Sequence, residues 1–68
     1  TLMGCNLKGT DVRGTDLRGA NLSDSNLKNA DLSRADLQGA TLTEANLEEA
    51  NLQEANFTGA SLARANLL

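Results

Sequence analysis

The stretch of sequence that decides the fold is residues 30–39, which reads ADLSRADLQG. It contains two copies of one five-residue unit: a small residue, Asp, Leu, and two residues that vary. Outward from this stretch, in both directions, every fifth residue is a large apolar one, at Leu2, Leu7, Val12, Leu17, Leu22, Leu27, Leu32, Leu37, Leu42, Leu47, Leu52, Phe57, Leu62 and Leu67. A period of five fits neither the 3.6-residue period of an α-helix nor the two-residue period of a β-strand. The sequence therefore indicates an unusual repeating fold.

Each of these large apolar residues is the centre of its pentapeptide, and the two positions before each centre are equally regular. The residue two before it is small, namely Cys5, Thr10, Thr15, Ala20, Ser25 and then alanine at every fifth position from Ala30 to Ala65. The residue directly before it is Asp or Asn, except at Thr1, Thr41 and Ser61. The unit A-(D/N)-L-X-X resembles the pentapeptide repeat family over essentially the whole chain. That resemblance implies an all-β fold, a right-handed quadrilateral β-helix.

The residue chemistry fits such a solenoid independently. One large and one small inward side chain per five residues let a narrow square cross-section close around a dry interior. Four pentapeptides make a coil of twenty residues, so the chain supplies about three and a half coils, about 17 Å tall at the strand spacing of a sheet. Residues twenty apart then lie above one another. We expect an outward ladder of stacked amides, able to hydrogen-bond along the axis, formed by Asn6, Asn26, Asn46 and Asn66.

The position two after each centre predicts the turn at each corner. Glycine occurs there six times, and a type II turn requires the positive φ that glycine adopts without strain. Gly19, Gly39 and Gly59 stack in one corner, which should keep type II turns throughout. Asn29 is the next-best residue for this position. A different turn type is expected where the position holds a charged residue, at Asp24, Arg34, Glu44, Glu49, Glu54 and Arg64.

Length and the two ends suggest that residues 1–68 are one solenoid and a piece of a longer protein. We see no capping helix at either end, and an uncapped solenoid exposes apolar core and unpaired backbone edges. End-to-end self-association is the alternative expectation. No apolar run approaches the length of a membrane span and no leader is visible, so we expect no membrane contact from this segment. The compartment is unknown from sequence, with the cytoplasm favoured over a lumenal or periplasmic one.

Composition argues against catalysis and against direct nucleic-acid binding. The net charge is −3, and histidine is absent, which removes the usual base of a nucleophile–base pair. Cys5 is the single cysteine, so neither an internal disulfide nor a cysteine-based zinc cluster is available, and we expect it to be a small buried side chain. We predict no enzyme, no catalytic residue, no metal site and no cofactor.

Two pairs of aspartates stack on adjacent sides, Asp11 with Asp31 and Asp16 with Asp36. Paired carboxylates can hold a metal or perform acid–base chemistry. These four occupy the Asp/Asn position of the repeat on outer sides, with Arg13 and Arg18 close enough to offset their charge. We therefore interpret them as structural.

The candidate interaction surface is the acidic group Glu44, Glu48, Glu49 and Glu54. Some pentapeptide repeat proteins are acidic rods that mimic duplex DNA and bind type II topoisomerases, and the resemblance implies this function as one alternative. Stacking predicts a cation for three of the four glutamates, in the pairs Lys28–Glu48, Arg34–Glu54 and Glu44–Arg64. Glu49, stacked on Asn29, has none. Such pairs are worth about 0–1 kcal/mol each, but they neutralise the potential that a mimic requires.

The function that we expect is a non-catalytic structural or protein-interaction scaffold with rigid, flat sides for an unknown protein partner. The alternatives are the topoisomerase-binding DNA mimic and a mechanical spacer in a multidomain protein. The resemblance also implies a bacterial, and especially a cyanobacterial, setting.

Overall fold

Parallel backbone pairing between residues twenty apart builds the whole molecule. The computed structural model describes residues 2–68, so Thr1 lies outside the described residues. Within 2–68 there is no helix, and pairing occurs at single residues rather than along extended strands. The pairs are Asn6–Asn26, Asp11–Asp31, Asp16–Asp36, Asn21–Thr41, Asn26–Asn46, Asp31–Asn51, Asp36–Asn56, Thr41–Ser61 and Asn46–Asn66. The predicted stacking of residues twenty apart is confirmed, and the fold is a β-helix.

A turn separates each pentapeptide from the next, so twenty residues form four sides. In the turn after Leu32, the N–H of Ala35 donates to the Leu32 carbonyl at 3.0 Å. The third residue of every turn from Gly4 to Arg64 has a positive φ, between 56° and 72°, and no second residue has one. Negative φ followed by positive φ is the pattern of a type II turn. The corner of Gly19, Gly39 and Gly59 is as predicted.

The expectation of a different turn type at the charged corners is wrong. Positive φ values of 56–62° occur at Asp24, Asn29, Arg34, Glu44, Glu49, Glu54 and Arg64. The reason is the hydrogen-bonded ladder between coils: the Arg34 N–H donates to the Gln53 carbonyl at 2.9 Å. Another turn type would reorient this N–H and break the bond. The ladder therefore imposes the left-handed conformation, although it costs a non-glycine residue about 1–2 kcal/mol.

The interior is a column of leucines lined by small residues. Six leucines are only 0–1% exposed, namely Leu22, Leu27, Leu32, Leu37, Leu42 and Leu47. Full burial of one such side chain stabilises the fold by about 1.5–3 kcal/mol. Ser25 is the polar residue in this core, and its hydroxyl donates to the Leu22 carbonyl at 2.7 Å. The predicted inward positions are confirmed. Equivalent leucines nearer either end of the described residues, such as Leu2 and Leu62, are half-buried.

The Asp/Asn side chains point outward and complete the backbone hydrogen bonding of their own pentapeptide. Asn26 Oδ1 accepts the N–H of Lys28 at 3.1 Å, and Asn51 Oδ1 accepts that of Gln53 at 3.1 Å. The N–H directly after each leucine takes part in neither the turn nor the hydrogen bonds between coils. A short side chain that carries an oxygen can accept this N–H, which explains the Asp or Asn directly before each leucine. The predicted stacking of Asn6, Asn26, Asn46 and Asn66 is confirmed by their backbone pairing, and within residues 2–68 their side-chain oxygens bond to the N–H two residues further on rather than to the asparagine of the next coil.

Candidate interaction surface

Corner geometry directs most of the acidic group away from the core. Glu44, Glu49 and Glu54 are each the third residue of a turn, with φ of 60°, 59° and 59°. Glu48 is the second residue of the same turn, which Ala50 completes. All four project from the outside of the coil that contains Leu42, Leu47 and Leu52.

Three of these glutamates form the ion pairs that stacking predicts. Lys28 Nζ lies 3.4 Å from Glu48 Oε1, Arg34 Nε lies 3.2 Å from Glu54 Oε1, and Arg64 Nε lies 3.3 Å from Glu44 Oε2. The Lys28–Glu48 pair is the most sheltered, with both side chains 37% exposed. The pairs bridge neighbouring coils, and each removes one uncompensated negative charge from the surface.

Glu49 is the carboxylate of the group that has no cation. Among residues 2–68 it forms no ion pair, because its neighbour twenty residues earlier is Asn29. Sequence reasoning missed a second unpaired carboxylate, Asp24, which lies next to Glu44 in the same corner column and likewise has no ion pair in the described chain. The twenty-residue spacing between Asp24 and Glu44 could have identified it. Two unpaired carboxylates thus flank the side of the solenoid that carries Glu48.

The stacked aspartates are held by arginine, as expected. Arg13 donates to Asp11 through Nε at 2.9 Å and Nη2 at 2.8 Å, while its Nε also lies 3.8 Å from Asp31 Oδ2. Arg18 repeats this arrangement with Asp16 and Asp36, at 2.8 Å and 3.8 Å. One guanidinium therefore bridges each stack of two carboxylates.

These contacts shift the acid–base equilibria of the pairs. Hydrogen bonds from the Arg18 side chain and then its backbone N–H lower the pKa of Asp16 from 3.8 to about 2. The Arg13 side chain lowers the pKa of Asp11 in the same way. The carboxylates in turn raise the pKa of both guanidinium groups. Asp11 and Asp16 therefore remain ionised at neutral pH and serve as partners for arginine.

Other chemistry-bearing groups on the described chain are dispersed. No group of three or more Cys, Asp or Glu side chains in residues 2–68 is arranged to hold a metal ion. A shallow depression is lined by Asp11, Arg13, Gly14 and Arg34, and both of its guanidinium groups are engaged in ion pairs. Cys5 is half-buried at its small-residue position. The described residues form no helix able to span a membrane.

Comparison with known proteins shows which family has this geometry. The family model for pentapeptide repeats matches eight copies, over residues 2–39 and 30–67. The chain belongs to the pentapeptide repeat family. Pentapeptide repeat proteins are generally non-enzymatic structural repeat proteins, commonly scaffolds. No protein of curated function is similar enough to this chain to be matched.

Solved pentapeptide repeat proteins from cyanobacteria are similar to the chain. Rfr23 from Cyanothece 51142 is 38% identical with a TM-score of 0.89, over 93% of this chain and 44% of its own. HetL from Nostoc sp. strain PCC 7120, a protein involved in heterocyst differentiation regulation, is 39% identical with a TM-score of 0.35, over 90% and 35%. Alr5209 from Nostoc PCC 7120 is 44% identical with a TM-score of 0.38, over 84% and 56%. The chain thus spans 35–56% of the length of these relatives.

Proposed function

We propose that this chain is a protein-binding scaffold whose partner lies along the sides of the solenoid. The observation that carries the proposal is the way the outer side chains are held. The Asp/Asn oxygens accept backbone N–H groups, and the half-buried Lys28–Glu48 ion pair bridges two coils. A surface ordered before binding loses little conformational entropy when a partner docks, which favours recognition by shape.

We propose that the partner contacts the acidic group Glu44, Glu48, Glu49 and Glu54. Glu49 is exposed and unpaired within the described chain, so a cationic side chain of a partner can approach it without displacing an internal cation. The three paired glutamates would form the rest of the contact area, and their cations would keep its net charge moderate. A partner with one or two basic side chains on a flat surface fits this arrangement better than a strongly basic one.

Affinity capture of the full-length native protein from cells that express it tests this proposal. The wild-type protein, a Glu49→Ala variant and a Gln53→Ala variant are compared by mass spectrometry. Gln53 is exposed, four residues further on and outside the acidic group, so it is the matched control. A partner lost with Glu49→Ala and retained with Gln53→Ala supports the proposal. A partner retained equally by both variants contradicts the acidic surface, and no partner at all contradicts the scaffold.

The alternative function as a DNA mimic is disfavoured by the ion pairs. Three of four glutamates have a cation within 3.2–3.4 Å, whereas a mimic needs uncompensated negative charge. The largest dimension is 20 Å, which spans about six base pairs at 3.4 Å per step. A gyrase supercoiling assay tests this alternative directly. Inhibition by the full-length protein would replace the scaffold proposal by the mimic.

The alternative function as a mechanical spacer predicts a different response to mutation. A spacer depends on the length of the coil stack and not on its side chains. Removing twenty residues, which shortens the stack while keeping every column in line, would then impair the full-length protein. Neutral substitution of the four glutamates would leave it unaffected. The scaffold predicts that the glutamate substitutions abolish partner binding.

The proposal also covers the handedness of the coil, the number of coils, the compartment and self-association. We propose a right-handed coil with about three and a half turns in this segment, located in the cytoplasm. We also propose that the 68-residue chain by itself associates end to end, because its outermost leucines are half-buried or, at Leu67 and Leu68, 55% and 87% exposed. Sedimentation at a series of concentrations tests the association. A mass that stays monomeric throughout would contradict it.

A further inference from the structure

We draw no further inference here: the strongest candidate, the uncharged flat side of the solenoid that carries Asn21, Ser23, Thr41, Thr43 and Ser61, is an unpartnered sheet face, and nothing in the structure shows what covers it.

Discussion

Arg34 Nε lies 3.2 Å from Glu54 Oε1, although the two residues are twenty positions apart in the sequence. The side chains are 79% and 74% exposed, so water and salt screen their attraction. We expect a double-mutant cycle on Arg34 and Glu54 to give a coupling energy of about 0–1 kcal/mol that disappears in 1 M salt. The matched cycle on Arg34 and Glu48 should give none. Stronger coupling to Glu48 would contradict the stacking.

Substitution of Leu32 by Asp should unfold the chain. Leu32 is fully buried in the middle of the leucine column, and the buried residues of the described chain include no cation that could pair with a carboxylate there. The loss of apolar burial and the uncompensated charge together cost several kcal/mol, on the order of the whole stability of a small domain. Far-UV circular dichroism measures the effect, with Gln53→Asp on the exposed surface as control. A β-type spectrum in Leu32→Asp would show that position 32 does not face the core.

Substitution of Gly39 by Val should destabilise the chain more than substitution of Gln38 by Val. A Cβ at Gly39 would meet nothing within 4 Å, so the penalty comes from its φ of +69° and not from a clash. We expect about 2 kcal/mol for Val, which is β-branched, and less for Gly39→Ala. Urea unfolding of the Gly39→Val and Gln38→Val variants measures the difference. Equal losses in the free energy of unfolding would mean that the positive φ of this corner does not lie at residue 39.

The same backbone geometry predicts that Glu49→Gly is more stable than Glu49→Ala. Both substitutions remove the same carboxylate, but only glycine is free of strain at the φ of +59° observed for Glu49. The strain relieved is about 1–2 kcal/mol, and the greater freedom of glycine in the unfolded chain offsets about 0.5–1 kcal/mol of it. We expect a net advantage of about 1 kcal/mol in the free energy of unfolding. Alanine equal to or better than glycine would refute the left-handed conformation at this corner.

Acid should weaken the fold partly through Asp16. Its pKa is about 2 in the folded protein, below the ordinary 3.8, because Arg18 donates hydrogen bonds to the carboxylate. A carboxyl group with a lowered folded pKa contributes stability above its unfolded pKa and loses that contribution as pH falls towards the folded value. We therefore expect stability to fall between about pH 4 and pH 2.

The Arg18→Ala variant tests the assigned cause of this pH dependence. An NMR titration of the Asp16 side chain should show its pKa return towards 3.8 in this variant, and the fall in stability over the acid window should become shallower. Gln38→Ala is the control, since Gln38 donates to Asp36 on the same side and leaves Asp16 untouched. An unchanged pKa of Asp16 in Arg18→Ala would contradict the assigned cause.

Much of this architecture follows from the sequence because the repeat has no insertion. Once residues twenty apart are taken as neighbours, the pairs Lys28–Glu48, Arg34–Glu54 and Glu44–Arg64 follow from counting. The inward leucines and alanines follow in the same way from their fixed place in each pentapeptide.

The turn prediction at the charged corners is wrong because it weighs the local φ preference of a residue and leaves out the hydrogen bonds between coils. Glu44 and Glu49 are poor residues for positive φ, yet the ladder holds them there. At Asn26 the local bond prevails instead: the residue is stacked between Asn6 and Asn46 as predicted, but its side-chain oxygen accepts the nearer N–H of Lys28. The partner and the compartment stay predictions, because neither leaves a pattern in a sequence so largely devoted to its repeat.

The four-sided coil makes the surface of this protein adjustable by duplication. Gain of a twenty-residue unit would lengthen the molecule by about 4.8 Å and leave every column in line. Gain of a single pentapeptide between Arg34 and Glu54 would instead carry all later residues around by a quarter of a turn. The leucine interior would be intact, but Glu54 would stand on the neighbouring side, away from its arginine. A single insertion of five residues would thus move a whole set of outer side chains to the neighbouring side, without any change to the core.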